Sequence, residues 1–219
     1  ADDTGAVLSR AVARSGVDYA GTADELLGEA LSLAGIERDR IAGSLSTGYG
    51  RDNVAWADGT MTEIACHGRG AHVHFPERIT VIDIGAQDSK IIHLGADGRR
   101  LDFKLNRKCA AGTGAFLEEI ALRLSIDMSA MNGLAARSEH EIVLNSFCTV
   151  FAATEVLSLI RAGHAVEDIA CAAFRSVVKR VVEMGRPEGR LVITGGVAAH
   201  NPHLLRLLGD ELNTEILTP

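Results

Sequence analysis

The 219-residue sequence contains few aromatic residues and no long apolar run, and both absences limit what the chain can be. Aromatic residues make up 4% of the chain against 47% for all apolar types, so Ala, Val, Leu and Ile must fill the core, as in packed α/β layers. No run of about 18 apolar residues is present to form a membrane-spanning helix. The first ten residues also lack the basic-then-apolar order of a signal peptide, so we expect a cytoplasmic protein without a membrane partner.

An excess of positive charge is also missing. The chain has 22 basic and 29 acidic residues and a formal net charge of −7, so no general positive field attracts nucleic acid, and we expect no nucleic-acid partner. Cysteine is scarce, with four residues at positions 66, 109, 148 and 171. Without an export signal, these thiols are expected to be reduced rather than disulfide-bonded.

Hydrophobic periodicity predicts an α/β fold with a mixed sheet flanked by helices. Thr22 and Glu25 form a capping-box pattern that predicts a helix over residues 22–34. Three alternating or apolar segments joined by tight turns predict an antiparallel meander, at residues 79–85, 89–94 and 99–105. Further helices are predicted over residues 149–162 and 166–184 and from Pro202 onward, with strands at residues 190–196 and at the end of the chain.

The octet DIGAQDSK, Asp83 to Lys90, places a glycine turn directly between two predicted strands. It is not a Walker loop, because neither a helix nor Gly-Lys-Ser/Thr follows. A tight turn can still direct backbone N–H groups at phosphate oxygens. Asp83 could hold a hydrated Mg²⁺ or orient the attacking water, with Gln87 and Asp88 near that water or the terminal phosphate. The alternative is a β-hairpin with a polar tip.

A second glycine turn, Gly195-Gly196, follows the predicted strand ITGG. Glycine has no Cβ, so a pair at this position would let the backbone approach a bulky ligand such as adenosine. By itself this pattern is weak, because many strand–helix connections contain glycine. The order of meander, helices and strand-Gly-Gly-helix occurs in the nucleotide-binding fold of actin, sugar kinases and heat-shock chaperones, which this chain resembles.

Cys109 and Cys148 each directly precede a predicted helix, because an amphipathic pattern from Phe116 to Leu124 follows Cys109 and the 149–162 helix follows Cys148. The positive end of a helix stabilises a thiolate at such a position, and Arg107 and Lys108 add to this effect near Cys109. Two thiolates are too few for a [4Fe–4S] cluster, which usually takes four. Two chains related by a twofold axis would supply four ligands to one cluster. The alternative is that each cysteine is a small buried apolar residue, as Cys171 in IACAAF is expected to be.

The segment EIACHGRGAHVH contains Cys66, His67, His72 and His74, which together suggest zinc. Their spacing does not match a paired set of zinc ligands, so we interpret the segment as a polar stretch near the domain junction. The Thr47–Arg51 loop could contribute to the cleft or to a partner contact, or its glycines could be purely structural.

Six segments together resemble the activator ATPases of 2-hydroxyacyl-CoA dehydratases and, equally, the related ATPase subunits of benzoyl-CoA reductase. They are STGYGR, TEIACHGRGA, VIDIGAQDSKII, NRKCAAGTGAFLEEIA, FCTVFAATEV and ITGGVAAHN. The resemblance implies ribonuclease-H-like, actin-type ATPase lobes. Residues 1–75 would be the remainder of the first lobe, and residues 76–219 the second lobe with both glycine turns and both candidate ligand cysteines.

The resemblance also implies a mechanism. A homodimer, or a pair of homologous subunits, would share one [4Fe–4S] cluster, and ATP hydrolysis would change the angle between helices at that cluster. One low-potential electron, supplied by a ferredoxin or flavodoxin, would then pass to a CoA-ester dehydratase or reductase.

Site roles carry over from the matching motifs. Cys109 and Cys148 would ligate the cluster. Asp83, Gly85, Ala86, Gln87 and Asp88 would line the phosphates, and Mg²⁺ would accompany them. Gly195 and Gly196 would face the adenosine of ATP or ADP.

The sequence departs from the family pattern at three places. No Asp-x-Gly-Ser-Thr motif precedes Thr22, no Gly-Ala-Ala helix follows the last strand, and Ala86 stands where relatives often carry glycine. The pattern therefore predicts a chain trimmed at both ends. Two alternatives stay open, a nucleotide-sensing module that does not hydrolyse ATP and a small-molecule kinase of the same fold.

Overall fold

The computed structural model describes residues 1–106, 109–144 and 148–219. It divides the chain into two compact units, residues 1–66 and 67–219. The assignment of these regions to two ribonuclease-H-like lobes stays a prediction.

The first unit contains helix α1 (Tyr19–Ala34) and a two-stranded parallel sheet of β1 (Leu45–Ser46) and β2 (Gly59–Thr60). The predicted start of α1 is wrong, because the helix begins at Tyr19 with Asp18 as its N-cap. The Asp18 carboxylate accepts a hydrogen bond from the Gly21 N–H, as capping carboxylates do, and Thr22 instead lies in the first turn. The predicted end is correct, since Gly35 adopts the left-handed conformation with φ 66°.

Helix α2 (Glu63–His74) was not predicted. Its segment contains Gly68 and Gly70, and each glycine lowers helix propensity by about 1 kcal/mol relative to alanine. In the second unit, the position of a Cβ on Gly68 lies 3.3 Å from a Leu94 methyl group, so the missing side chain lets the helix approach the sheet closely. Tertiary packing against the sheet therefore outweighs the low helix propensity of the two glycines.

The second unit is built on a five-stranded mixed sheet with the order β5-β4-β3-β6-β7. Strands β3 (Ile79–Ile84), β4 (Ser89–Leu94) and β5 (Arg100–Asn106) form the predicted antiparallel meander. Strands β6 (Arg190–Thr194) and β7 (Ile216–Leu217) continue the sheet in parallel from β3. The prediction of an α/β fold with a mixed sheet is confirmed.

Six helices in the described part of the second unit follow the meander. They are α3 (Gly114–Leu124), α4 (Met131–Ala135), α5 (Thr149–Arg161), α6 (Val166–Met184), α7 (Gly196–His200) and α8 (Pro202–Leu212). Pro202 opens α8, as predicted.

One continuous core joins these helices to the sheet. Ile82, Ile91 and Ile193 pack in it with Phe116 of α3 and Phe174 of α6, each at most 1% exposed. Burial of one such side chain stabilises the fold by about 1.5–3 kcal/mol. Among the described residues, no helix combines the length and the apolar character needed to cross a bilayer.

The end of β6 approaches the end of β3 so closely that a side chain cannot fit between them. Gly195 has φ 97°, and a Cβ on it would collide with the Ile84 carbonyl group and lie 2.8 Å from Asp83 Oδ1. The neighbouring Gly196 is exposed, and a Cβ there would meet no described atom within 4 Å. Gly195 is therefore required by the sheet, whereas Gly196 faces open space.

We expect Gly195→Ala to lower the free energy of unfolding by about 1–3 kcal/mol, because both the positive φ and the contact with Ile84 oppose a Cβ. Gly196→Ala, the matched control, should change it by less than about 1 kcal/mol. Urea denaturation followed by circular dichroism measures both values. Equal stability of the two variants would contradict this account of the end of β6.

Candidate functional site

The turn between β3 and β4, residues 85–88, is tight and open at its tip. The Gly85 N–H donates a hydrogen bond to the Asp88 carbonyl oxygen at 2.9 Å. A Cβ on Gly85 would lie 3.0 Å from that oxygen, so the turn leaves little room for a side chain there. Ala86 and Gln87 are exposed at the tip, and Asp88 is half-buried. The strand–turn–strand arrangement predicted for this octet is present.

The Asp83 carboxylate lies at the end of β3 and is buried. The sheet register places Lys90 directly across from it on β4 and Thr194 directly across on β6. Asp83 Oδ1 accepts a hydrogen bond from Thr194 Oγ1 at 3.0 Å, and Asp83 Oδ2 accepts one from Lys90 Nζ at 3.2 Å. Both carboxylate oxygens of Asp83 are therefore held by neighbouring strands.

Lys90 is one of the site residues that the sequence reasoning missed. Its side chain is 2% exposed, and its Nζ also donates to Asp88 Oδ1 at 2.6 Å. The signal was available, since a four-residue turn between antiparallel strands pairs position 84 with 89 and position 83 with 90. Lysine in place of an apolar residue on a buried strand, opposite an aspartate, indicates a buried ion pair.

His67 and His72 of α2 have different partners in the second unit. His67 Nε2 lies 3.7 Å from Asp83 Oδ2, and His72 Nε2 lies 3.2 Å from the Ala96 carbonyl oxygen. His67 and His72 therefore contact different groups, and the interpretation of this segment as a polar stretch rather than a zinc site stays a prediction. His67 instead extends the polar cluster around Asp83.

The first turn of α3 is hydrogen-bonded directly to the β3–β4 turn. The Gly114 N–H donates to the Gly85 carbonyl oxygen at 3.0 Å, and the Ala115 N–H donates to the Ala86 carbonyl oxygen at 2.7 Å. A Cβ on Gly114 would lie 3.0 Å from Val197 of α7 and 3.1 Å from Ala86 Cα. Residues around both predicted glycine turns therefore meet at the start of α3.

A buried side chain adds a third link. The Ser89 hydroxyl donates to the Gly112 carbonyl oxygen, and Ser89 is 1% exposed. We call the contact between residues 85–89 and residues 112–115 the turn–helix junction. It connects the segment proposed to hold phosphates with the segment that carries Cys109.

Cys109 does not directly precede a helix, so that part of the sequence prediction is wrong. Helix α3 begins five residues later, at Gly114, with Thr113 as the N-cap. The intervening residues form a turn in which Gly112 has φ 81°. Asn106 Nδ2 fastens this turn by donating to the carbonyl oxygens of Cys109, at 3.3 Å, and Ala111, at 3.0 Å. The turn–helix junction fixes where α3 starts, and the local sequence did not reveal that contact.

Cys148 and Cys171 lie where the sequence predicted. Cys148 is exposed at the N-cap of α5, and its carbonyl oxygen accepts the Ala152 N–H at 2.8 Å. Cys171 is buried in α6, as expected for a core residue. Cys66, Cys109, Cys148 and Cys171 are all free thiols. Arg107 and Lys108, expected to act on Cys109, lie outside the described residues.

A 2-hydroxyisocaproyl-CoA dehydratase activator from Clostridioides difficile is 41% identical over 188 residues, which cover 84% of this chain and 70% of that protein. One of the subunits of benzoyl-CoA reductase from Thauera aromatica is 28% identical over 197 residues, which cover 88% and 69%.

Solved structures agree with these matches. The crystal structure of component A of (R)-2-hydroxyglutaryl-CoA dehydratase from Acidaminococcus fermentans matches with a TM-score of 0.92 and 36% identity, over 100% of this chain and 85% of that one. The activator of 2-hydroxyisocaproyl-CoA dehydratase from Clostridium difficile, with bound ADPNP, matches with a TM-score of 0.83 and 37% identity, over 95% and 76%. The predicted actin-type fold class is thereby confirmed.

The profile of the BadF/BadG/BcrA/BcrD ATPase family matches residues 2–218, nearly the whole sequence. The resemblance stated from the six sequence segments is confirmed by this match and by the named relatives. The chain belongs to the BadF/BadG/BcrA/BcrD ATPase family.

Proposed function

We propose that this protein is an ATP-hydrolysing activator that passes a low-potential electron from a [4Fe–4S] cluster, shared by two copies of the chain, to a CoA-ester dehydratase. The observation that carries the proposal is the turn–helix junction. It joins the turn suited to phosphates and the segment that contains Cys109 through two backbone hydrogen bonds and the Ser89 hydroxyl. A nucleotide that displaces the turn would therefore also displace the Cys109 segment.

The proposed nucleotide-binding site is formed by the exposed parts of the two glycine turns. Gly85, Ala86 and Gln87 would line the phosphates, and Gly195 and Gly196 would approach the adenosine. Asp88 is more accessible than Asp83, with side-chain exposures of 26% and 4%. Asp88 and Gln87 would therefore contact the attacking water, while the enclosed Asp83 would help to orient it and a hydrated Mg²⁺. An ADPNP-bound relative supports a nucleotide in this fold.

The proposed ligands of the [4Fe–4S] cluster are Cys109 and Cys148. Both are free thiols, so each chain would contribute two thiolates and a pair of chains would contribute four. Val150 and Phe151, in the first turn of α5 beside the exposed Cys148, are 73% and 67% exposed. Apolar side chains at this position favour a face covered by a second copy of the chain. A bound [4Fe–4S] cluster supplies one electron at low potential.

The partner is inferred from the relatives. Two different dehydratase activators, of 2-hydroxyisocaproyl-CoA and (R)-2-hydroxyglutaryl-CoA dehydratases, match this chain at 41% and 38% identity, against 28% for the benzoyl-CoA reductase protein. We therefore place activation of a CoA-ester dehydratase ahead of participation in a reductase. The electron donor would be a small soluble carrier such as a ferredoxin or flavodoxin.

The first test is anaerobic reconstitution with iron and sulfide, followed by iron analysis and mass measurement in solution. We expect about four irons per pair of chains, because four thiolates hold one such cluster. Cys109→Ala and Cys148→Ala should each abolish iron binding. Cys66→Ala, which removes a thiol outside the proposed ligand set, should retain it.

Iron-free protein that still binds ATP would contradict the electron-transfer function. If that protein hydrolysed no ATP it would be a nucleotide sensor, and if it phosphorylated a small molecule it would be a kinase.

The second test concerns the turn–helix junction and uses iron-free protein. We expect ADPNP to change the rate of Cys109 alkylation by about fivefold or more, the lower end of typical coupling between sites. Ser89→Ala should reduce this ratio, because it removes the buried hydroxyl that holds Gly112. Ser158→Ala, which removes an exposed hydroxyl on α5, is the matched control.

Mass spectrometry of the Cys109 peptide gives the alkylation rates, and nucleotide affinity is measured in parallel. A Ser89→Ala protein that binds ADPNP and keeps the full wild-type ratio would rule out coupling through the Ser89–Gly112 hydrogen bond.

A further inference from the structure

Lys90 is a buried lysine between two carboxylates. Its side chain is 2% exposed, with Nζ 2.6 Å from Asp88 Oδ1 and 3.2 Å from Asp83 Oδ2. Lysine is rarely fully buried, and when it is buried it is usually paired. Burial of charges is costly, so an ion pair at this position is weak evidence for a purely stabilising role.

If Lys90 were absent, a divalent metal ion at a nucleotide site could occupy the position of its Nζ. Two carboxylate oxygens converge on it, one from Asp83 at the end of β3 and one from Asp88 in the β3–β4 turn. Divalent metals in ATPases are commonly bound by one or two carboxylates together with the phosphates. A metal ion in direct contact with the same two oxygens would lie beside the ammonium group, and the two cations would repel each other.

The remaining atoms of Asp83 point to the same conclusion. Its Oδ1 accepts the Thr194 hydroxyl at 3.0 Å, and His67 Nε2 lies 3.7 Å from its Oδ2. The carboxylate is therefore enclosed by protein groups. Mg²⁺ gives up its water reluctantly and often keeps several water ligands, so it can interact with such a carboxylate through water.

We propose that Lys90 is a built-in cation that takes the place of a directly bound divalent metal between Asp83 and Asp88. It neutralises part of their charge and holds Asp88 against the turn, so that Mg²⁺–nucleotide meets these carboxylates only through water. Lys90 is thus a positioning residue, and this role rests on the proposed ATPase function.

The test measures metal binding without nucleotide, so it is independent of hydrolysis. Titration with Mn²⁺, followed by electron paramagnetic resonance, compares wild type with Lys90→Met and Lys90→Gln. We expect both variants to bind Mn²⁺ about tenfold more tightly or better, because removal of the ammonium leaves two adjacent carboxylates free to bind a divalent cation. Adding Asp88→Asn to Lys90→Met should abolish the gain.

Lys104→Met is the matched control, since it removes a lysine from the neighbouring strand β5 at an exposed position. It should leave Mn²⁺ affinity at the wild-type value. Unchanged Mn²⁺ affinity in both folded Lys90 variants would overturn the proposal.

Stability gives a second readout, because removal of a buried charge can prevent folding. If the Lys90 variants are unfolded in the absence of metal, Mn²⁺ should restore their thermal unfolding transition. Failure to fold in its presence would also overturn the proposal.

ATP hydrolysis by wild-type protein is measured separately. Its absence, together with a Mn²⁺ gain in the variants, would contradict the proposed function while leaving the cation role of Lys90 intact. Hydrolysis by the wild-type protein without a gain in Mn²⁺ affinity in the variants would overturn the cation role of Lys90 and leave the proposed function intact.

Discussion

The turn–helix junction determines how the candidate functional segments of the second unit are placed. The N–H groups at a helix start have no partner within the helix and need acceptors elsewhere. In α3, the first two N–H groups find acceptors in the carbonyl oxygens of Gly85 and Ala86. Each such bond contributes about 1 kcal/mol net, but a buried N–H left without an acceptor costs more. The helix and the turn are therefore held together.

This arrangement also explains why small residues recur where the segments meet. Gly114 has Ala86 on one side and Val197 on the other, within about 3 Å of the position its Cβ would take. At Gly195 the neighbouring strand occupies that position. The glycine at 195 thus serves the close approach of protein to protein, and the adjacent Gly196 provides the open surface on which the adenosine proposal depends.

Charge is concentrated beside the same turn. Lys90, Asp83 and Thr194 lie side by side on three adjacent strands, and Asp88 reaches back from the turn to Lys90. Apolar residues could have filled this row at lower desolvation cost. The cluster instead fixes the orientation of Asp83 and Asp88 through hydrogen bonds from Lys90 and Thr194, while Gln87 and part of Asp88 remain accessible at the tip.

Local pattern in the sequence determined the meander, the strand–turn–strand at Asp83, the cap at Asn201-Pro202 and the burial of Cys171, because each depends on neighbouring residues and on alternation. The six motif segments also identified the family. Only the tertiary structure decided the start of α3 relative to Cys109, the formation of α2 despite two glycines, and the burial of Lys90. These depend on hydrogen bonds and packing between segments far apart in the chain, such as Gly85 with Gly114 and Gly68 with Leu94, and local propensity carries no information about such contacts.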